Sequence, residues 1–220
     1  MFGNAGYTTP VGTLSGFAYL VDVDEAAVFG FRLSSQTYGA RLAGARPLGK
    51  AKLGYQLSYA RQSDWHRNPT AYSANYYLAD ASLELGGFKL GGGYEVLGAD
   101  DSGRNGGVAL TSFQTPLATG FKFQGWADKF LTTPPDGVRD LYGSLSYGWK
   151  KLGPLTAVTL QVAYHRFESD RAIRHYGNEI NVLASAKRKR TTLSVRYAGY
   201  DADRFATDTS KLWLQMDWAI

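Results

Sequence analysis

The strongest constraint on what this chain can fold into is a two-residue periodicity that returns along most of its length. In the closing segment, 211–220, Leu212, Leu214, Met216, Trp218 and Ile220 share one face of an extended strand, while Lys211, Gln215 and Asp217 share the other. Any half-buried strand alternates. What sets this chain apart is that each apolar row is wholly uncharged, while each opposite row mixes Gly, Ser, Gln and charged residues. That pattern predicts the wall of a membrane-spanning β-barrel, in which closed strand pairing satisfies every backbone polar group.

Reading backwards, Leu193, Val195 and Tyr197 oppose Thr192, Ser194 and Arg196, and Ile180, Val182, Ala184 and Ala186 oppose Glu179, Asn181 and Ser185. Val158, Leu160, Val162 and Tyr164 oppose Thr159, Gln161 and His165. Leu141, Leu145, Tyr147 and Trp149 oppose Asp140, Tyr142, Ser144 and Ser146. Upstream, Phe88, Leu90 and Tyr94 oppose Lys89, Gly91, Gly93 and Glu95, and Ala79, Ala81, Leu83 and Leu85 oppose Asp80, Ser82 and Glu84. Leu53, Tyr55, Leu57 and Tyr59 oppose Lys52, Gln56 and Ser58; Tyr38, Ala40 and Leu42 oppose Thr37 and Arg41; and Phe17, Tyr19 and Val21 begin the series. The expectation is about ten strands of about ten residues, within a range of ten to twelve, in one up-and-down antiparallel barrel domain spanning 1–220.

Mean hydropathy is −0.27 and no apolar stretch approaches the length of a membrane-crossing helix. Alternating strands average to neutrality, so hydropathy conceals the pattern that periodicity reveals. The 26 Gly, 15 Tyr and 11 Phe against 2 Met favour turns and aromatic strands over helices. With no cysteine, thiol chemistry, disulfides and thiolate metal sites are excluded. The net charge of +5 is scattered except for Lys187-Arg188-Lys189-Arg190, so a nucleic-acid partner is not expected. No charged and apolar leader with a cleavage site precedes Gly12, and the expectation is a mature or trimmed chain with an added or internal Met1.

Which face meets lipid is decided by two features. Aromatics collect near row ends, with Phe88, Trp149 and Trp218 at the short-turn end and Tyr19, Tyr59, Tyr94, Tyr164 and Tyr197 toward the long-loop end, as interfacial girdles do. Strand charges fall on the other face, where water tolerates them. The candidate pore-lining residues are therefore Arg41, Lys52, Asp80, Glu84, Lys89, Glu95, Glu179, Arg196, Lys211 and Asp217. Their cations suit a polyanion and their carboxylates suit cross-strand salt bridges. Segment 99–137 is the longest connection and is expected to be extracellular. Its apolar cluster of Phe121, Phe123, Trp126, Phe130 and Leu131 predicts either packing on neighbouring loops or a cap that constricts the pore, with packing favoured.

Several segments resemble the alginate export family of outer-membrane β-barrels. They are Ser34-Ser35-Gln36-Thr37-Tyr38-Gly39, Ala60-Arg61-Gln62-Ser63-Asp64, Tyr76-Tyr77-Leu78-Ala79-Asp80, Gly93-Tyr94-Glu95-Val96-Leu97-Gly98, Phe113-Gln114-Thr115-Pro116-Leu117-Ala118-Thr119, Gly125-Trp126-Ala127-Asp128-Lys129-Phe130-Leu131 and Tyr200-Asp201-Ala202-Asp203. The resemblance implies an outer-membrane location and passage of an anionic polysaccharide. Against barrels of roughly eighteen strands, this chain is similar to a C-terminal half or a shortened version.

Enzyme readings find little footing. His66, His165 and His175 fall near loops and read as solvated side chains, and Gly143-Ser144-Leu145-Ser146-Tyr147-Gly148 lacks the nucleophile elbow's first glycine. Asp22-Val23-Asp24-Glu25 and Asp201-Ala202-Asp203 with Asp208 lack a calcium-loop spacing, so no metal or cofactor is expected. The sequence thus predicts a non-enzymatic outer-membrane pore for a hydrophilic, anionic or polysaccharide solute, with membrane lipids as partners. Two alternatives stand beside it: a truncated or engineered small barrel with a plugged lumen, and a soluble lipocalin-like binder with its faces reversed.

Overall fold

The computed structural model describes residues 1–25, 30–118 and 124–219, so Phe121, Phe123 and Ile220 lie outside the described residues. Among the described residues eleven strands follow one another in a single antiparallel sheet whose spatial order is the chain order. They are β1 (Phe2–Thr9), β2 (Gly12–Val21), β3 (Ser35–Leu48), β4 (Ala51–Asp64), β5 (Ser73–Leu85), β6 (Phe88–Asp100), β7 (Val138–Leu152), β8 (Leu155–Glu168), β9 (His175–Arg188), β10 (Thr191–Ala202) and β11 (Thr209–Trp218). The connections alternate strictly between tight turns and longer loops. One 3-10 turn, Gly30–Leu33, is the helical element among the described residues.

The strand count of eleven among the described residues falls within the expected ten to twelve; the strand beyond the ten read from periodicity is β1, which pairs with β2 from Phe2↔Tyr19 to Thr9↔Gly12. Its sequence, FGNAGYTT, carries no apolar row, which is why periodicity misses it. The expectation of a closed barrel does need correction: the sheet is not closed, and its edges β1 and β11 each pair with one strand only among the described residues. With an odd number of antiparallel strands those edges run in the same direction, so pairing them directly would be parallel rather than antiparallel.

Register sorts every strand into two faces, since directly paired residues point to the same side. The outer face carries Tyr38, Leu57, Leu83, Leu90, Leu145 and Leu193, all well exposed to the surroundings. Leu145, midway along β7, is 46% exposed. Rows of exposed leucine, valine and tyrosine across ten neighbouring strands suit lipid rather than water. The described parts of the loop 101–137, which are 101–118 and 124–137, pack on the opposite face against both halves of the sheet, from β4 at Gln62 to β11 at Lys211. A flat sheet would hold β4 and β11 about 34 Å apart. The sheet therefore curls around this loop, and the charged face is the concave one.

Strand β2 reverses the predicted facing. Phe17 pairs with Gly39 and Tyr19 with Thr37, while Arg41 two residues beyond Gly39 pairs with Ser15. Phe17, Tyr19 and Val21 therefore share the concave face with Arg41, and Tyr19 leaves the outer girdle. Leu14, Gly16, Ala18 and Leu20 face outward instead. Both rows of β2 are apolar, so alternation alone cannot choose between them. Gly39 makes room for the inward ring: a Cβ there would lie 2.4 Å from Phe17 Cζ and 2.7 Å from the Tyr59 carbonyl oxygen. Gly39→Ala is expected to destabilise the sheet by about 1–3 kcal/mol through overpacking. Urea titration in detergent would measure it, and a second change, Phe17→Ala, should recover part of the loss.

The buried core lies at the long-loop end of the concave face. Phe167 of β8 is fully buried, with its ring 4.6 Å from that of Phe130 in the loop. Tyr176, Tyr200 and Phe205 complete the cluster around Phe130. Toward the short-turn end the same face carries exposed polar and charged side chains such as Lys52, Glu84 and Lys89.

Candidate functional site

By register, all ten sequence-derived candidates share the concave face. One row runs from Arg41 through Ser58, Leu78 and Glu95 to Asp140. Another joins Lys52, Glu84 and Lys89. Glu179 pairs with Tyr200, Arg196 with Trp213, Lys211 with Ala198 and Asp217 with Thr192. The strands bring these residues to one surface but give them different work.

At the short-turn end, Lys89 Nζ lies 3.1 Å from Glu84 Oε1, with both side chains about half exposed. Such a pair contributes little to stability and its charges stay available to solutes. Arg41 donates to Gln56 Oε1 at 2.5 Å and Arg196 to Gln215 Oε1 at 2.8 Å. Gln215 in turn donates to Asp217, and Tyr142 OH donates to Asp80 Oδ2 at 2.7 Å. The expectation of cross-strand salt bridges in the lumen is met at this end by Glu84 and Lys89. A small cavity of 260 Å³ lies between Trp126 and this region, lined by Tyr142, Ser144, Gln161, His165 and Arg196.

At the long-loop end, three candidates hold the loop. Glu95 accepts from Tyr76 OH at 2.6 Å and from Gln124 Nε2 at 2.7 Å. Glu179, 1% exposed, accepts the backbone N–H groups of Trp126 and Ala127 through the same oxygen, at 2.5 and 2.9 Å. Lys211 Nζ reaches Asp128 Oδ2 at 2.8 Å. Segment 124–128 is thus fastened to β6, β9 and β11 in turn. Gly125 permits the approach, because it has φ +82° and a Cβ there would fall 2.5 Å from Glu179 Oε2.

A second fastening uses amide side chains as substitute backbone. Gln62 on β4 donates to the Gln114 carbonyl at 2.8 Å and accepts the Gln114 N–H at 2.7 Å. The Gln114 side chain repeats the arrangement one step on, donating to the Thr133 carbonyl at 3.0 Å and accepting the Thr133 N–H at 3.1 Å. Each glutamine so satisfies both polar groups of a buried residue that no strand serves. Tyr72 OH adds a 3.0 Å bond to Gln62 Oε1. Burial, with Asp64 nearby, pushes that phenol above its usual range and keeps it a donor.

Sequence reasoning missed Gln62, Gln114, Tyr76 and the inward role of Trp126, whose bonds to Gln114, Gln62, Glu95 and Glu179 span 19 to 53 residues of chain. It also misplaced His165. That ring is inward on β8 with a side chain 12% exposed, and its Nδ1 lies 2.9 Å from Asp140 Oδ2, itself 2% exposed. It is a buried hydrogen-bonding partner of Asp140 and not a solvated loop residue. His66 pairs with Asp22 at 2.9 Å and His175 with Asp203 at 3.2 Å, so these two also have carboxylate partners. Asp208 accepts the Ala202 N–H, which gives one carboxylate of the loop cluster a turn-forming role. No group of three metal-ligating side chains occurs among the described residues.

No protein-family model matches the chain, and no curated protein matches it in sequence. Solved structures do. Pseudomonas aeruginosa OccK3 (OpdO) is similar over 99% of this chain and 55% of its own, with a TM-score of 0.69 and 19% identity. P. aeruginosa OccK5 (OpdH) matches over 99% and 58%, with a TM-score of 0.64 and 16% identity. A BenF-like porin from Pseudomonas fluorescens Pf-5 matches over 98% and 54%, with a TM-score of 0.63 and 16% identity. The chain spans about half the length of these structures. At such identities the likeness is one of fold, an antiparallel barrel wall, and it lends the alginate-export resemblance no support.

Proposed function

We propose that this chain forms the wall of a passive outer-membrane channel for small hydrophilic solutes, with the concave face as the path and the loop 101–137 as its extracellular constriction. The supporting observation is the opposition of the two faces: exposed leucine, valine and tyrosine outside, and Arg41, Lys52, Asp80, Glu84, Lys89, Arg196 and Asp217 inside. Charges on both sides of a water-filled path hold hydrated ions and select among them. Segment 124–128 narrows that path where Glu95, Glu179 and Lys211 anchor it. The ten inward residues are the proposed lining, 1–220 a single barrel-wall unit, outer-membrane lipids the outer-face partners, and no chemical step is assigned to any of them.

An anionic polysaccharide is the finer proposal and rests on the alginate-export resemblance together with the inward cations. A second reading, a wall that conducts nothing, draws on the aromatic cluster around Phe130 and Phe167, which fills much of one end.

Single-channel recording of the refolded chain in a planar bilayer tests these readings. Discrete conductance steps are expected, and Arg196→Glu should shift ion selectivity toward cations by about twofold or more. Block by added alginate would support the polymer path, while steps without block would remove it and keep the channel. Stable insertion without conductance would overturn transport and favour the filled wall.

A further inference from the structure

A site of a different kind lies on the outer face at the short-turn end. The hairpin tip joining β9 to β10 carries Arg188, Lys189 and Arg190, all exposed. Register places Arg188 beside Thr191 and Thr191 beside Trp218, so Arg188 and Trp218 share the outer face. Ala186 pairs with Leu193 one step further along the same face. Together these residues border a surface groove of 680 Å³, cationic at its rim and apolar along its floor. The neighbouring hairpin between β7 and β8 carries Lys150 and Lys151 outside the groove lining, and Thr156 of β8 ties the two tips together by donating to the Lys187 carbonyl at 3.2 Å. Among the described residues the acidic side chain of this rim is Asp217, which points to the concave face.

We propose that this groove binds one anionic phospholipid, with its phosphodiester against Arg188, Lys189 and Arg190 and its acyl chains along Ala186, Leu193 and Trp218. The assignment rests on the reading that the outer face meets lipid. Three points favour a lipid over a soluble anion. The cations open onto the outer face and not the concave path. Trp218 has the amphipathic ring that settles at headgroup depth. Ala186 leaves a shallow trough between the larger Leu155 and Leu193, as a chain lying along the wall requires. Each cation near an anionic surface favours binding by about fivefold.

The test uses the whole chain refolded into phosphatidylcholine vesicles containing a minor fraction of phosphatidylglycerol. Heat-modifiable gel mobility is read first; a chain that stays folded in water without detergent overturns the membrane reading and this site with it. Inserted protein is then extracted in neutral detergent and its bound lipid counted by native mass spectrometry. Retained phosphatidylglycerol should exceed its share of the vesicle lipid by at least about tenfold. The triple change Arg188→Gln, Lys189→Asn and Arg190→Gln should abolish that excess. Asn is chosen because Lys189 has φ +53°, a conformation asparagine tolerates. The pair Lys150→Gln and Lys151→Gln alters the adjacent rim without touching the groove and should retain the excess. Proportional retention of both lipids by the unaltered chain would overturn the site while leaving the channel reading intact. Equal losses from both variants would mean diffuse attraction and overturn it too. Displacement of the lipid by millimolar inorganic phosphate would assign the cations to a soluble anion instead.

Discussion

Leu145→Arg is expected to prevent stable insertion, while Ser144→Arg, its immediate neighbour, inserts and refolds almost normally. Leu145 lies at the centre of β7 on the outer face, 46% exposed and paired with Leu90 and Val162 of the flanking strands. Ser144 points to the concave side, where it borders the small cavity under Trp126. If the outer face meets hydrocarbon, a guanidinium at mid-strand costs about 2–4 kcal/mol. In water the same change at an exposed position would cost close to nothing. Urea titration of the two variants in lipid vesicles separates these outcomes. Equal stability would mean that the outer face is not buried in lipid, and the soluble-binder alternative would then account for the exposed rows.

Glu179→Ala is expected to release the loop from the wall without unfolding the sheet. The carboxylate oxygen that accepts both the Trp126 and Ala127 N–H groups belongs to a buried side chain. Removing it leaves two buried donors unsatisfied, each costing about 1–3 kcal/mol. Opening the loop is the cheaper response, because water then solvates both groups. Hydrogen exchange at Trp126 and Ala127 should rise by several orders of magnitude, with exchange along β9 and β10 little changed. Glu179→Gln keeps a carbonyl in place and should restore most of the protection. Unchanged exchange at Trp126 in the alanine variant would show that Gln124, Asp128 and the aromatic cluster hold the loop without this carboxylate. If the loop is the constriction, the same alanine variant conducts more than the unaltered chain.

These two outcomes depend on different kinds of information. The facing of Leu145 is written locally, because alternate residues of a strand must point to opposite sides and only one of the two rows is free of charge. The same logic located ten strands, the alternation of turns and loops, and the concave placement of Arg41, Lys52, Glu84, Lys89 and Asp217. It fails where the local pattern is weak. In β1, small and polar residues on both faces leave no period to read, and the strand forms because β2 offers it a complete ladder. In β2, two apolar rows compete, and the pairing of Phe17 with Gly39 decides which one turns inward.

The loop is the other limit. Its aromatics predicted that it would pack, with packing on neighbouring loops or constriction both open. Nothing local says that Glu95, Glu179 and Lys211 receive it, because a side chain's neighbours across a curled sheet depend on where distant strands come to lie.

The sequence by itself therefore determined an all-β meander with one outer face uncharged between the strand ends and one charged inner face, because strand periodicity and the cost of placing charge in lipid act residue by residue. Only the tertiary structure decided which inward charges line an exposed surface and which fasten the loop. That division follows from pairings such as Gln62 with Gln114 and Glu179 with Trp126, which exist only after the sheet has curled and brought chain segments more than fifty residues apart into hydrogen-bonding distance.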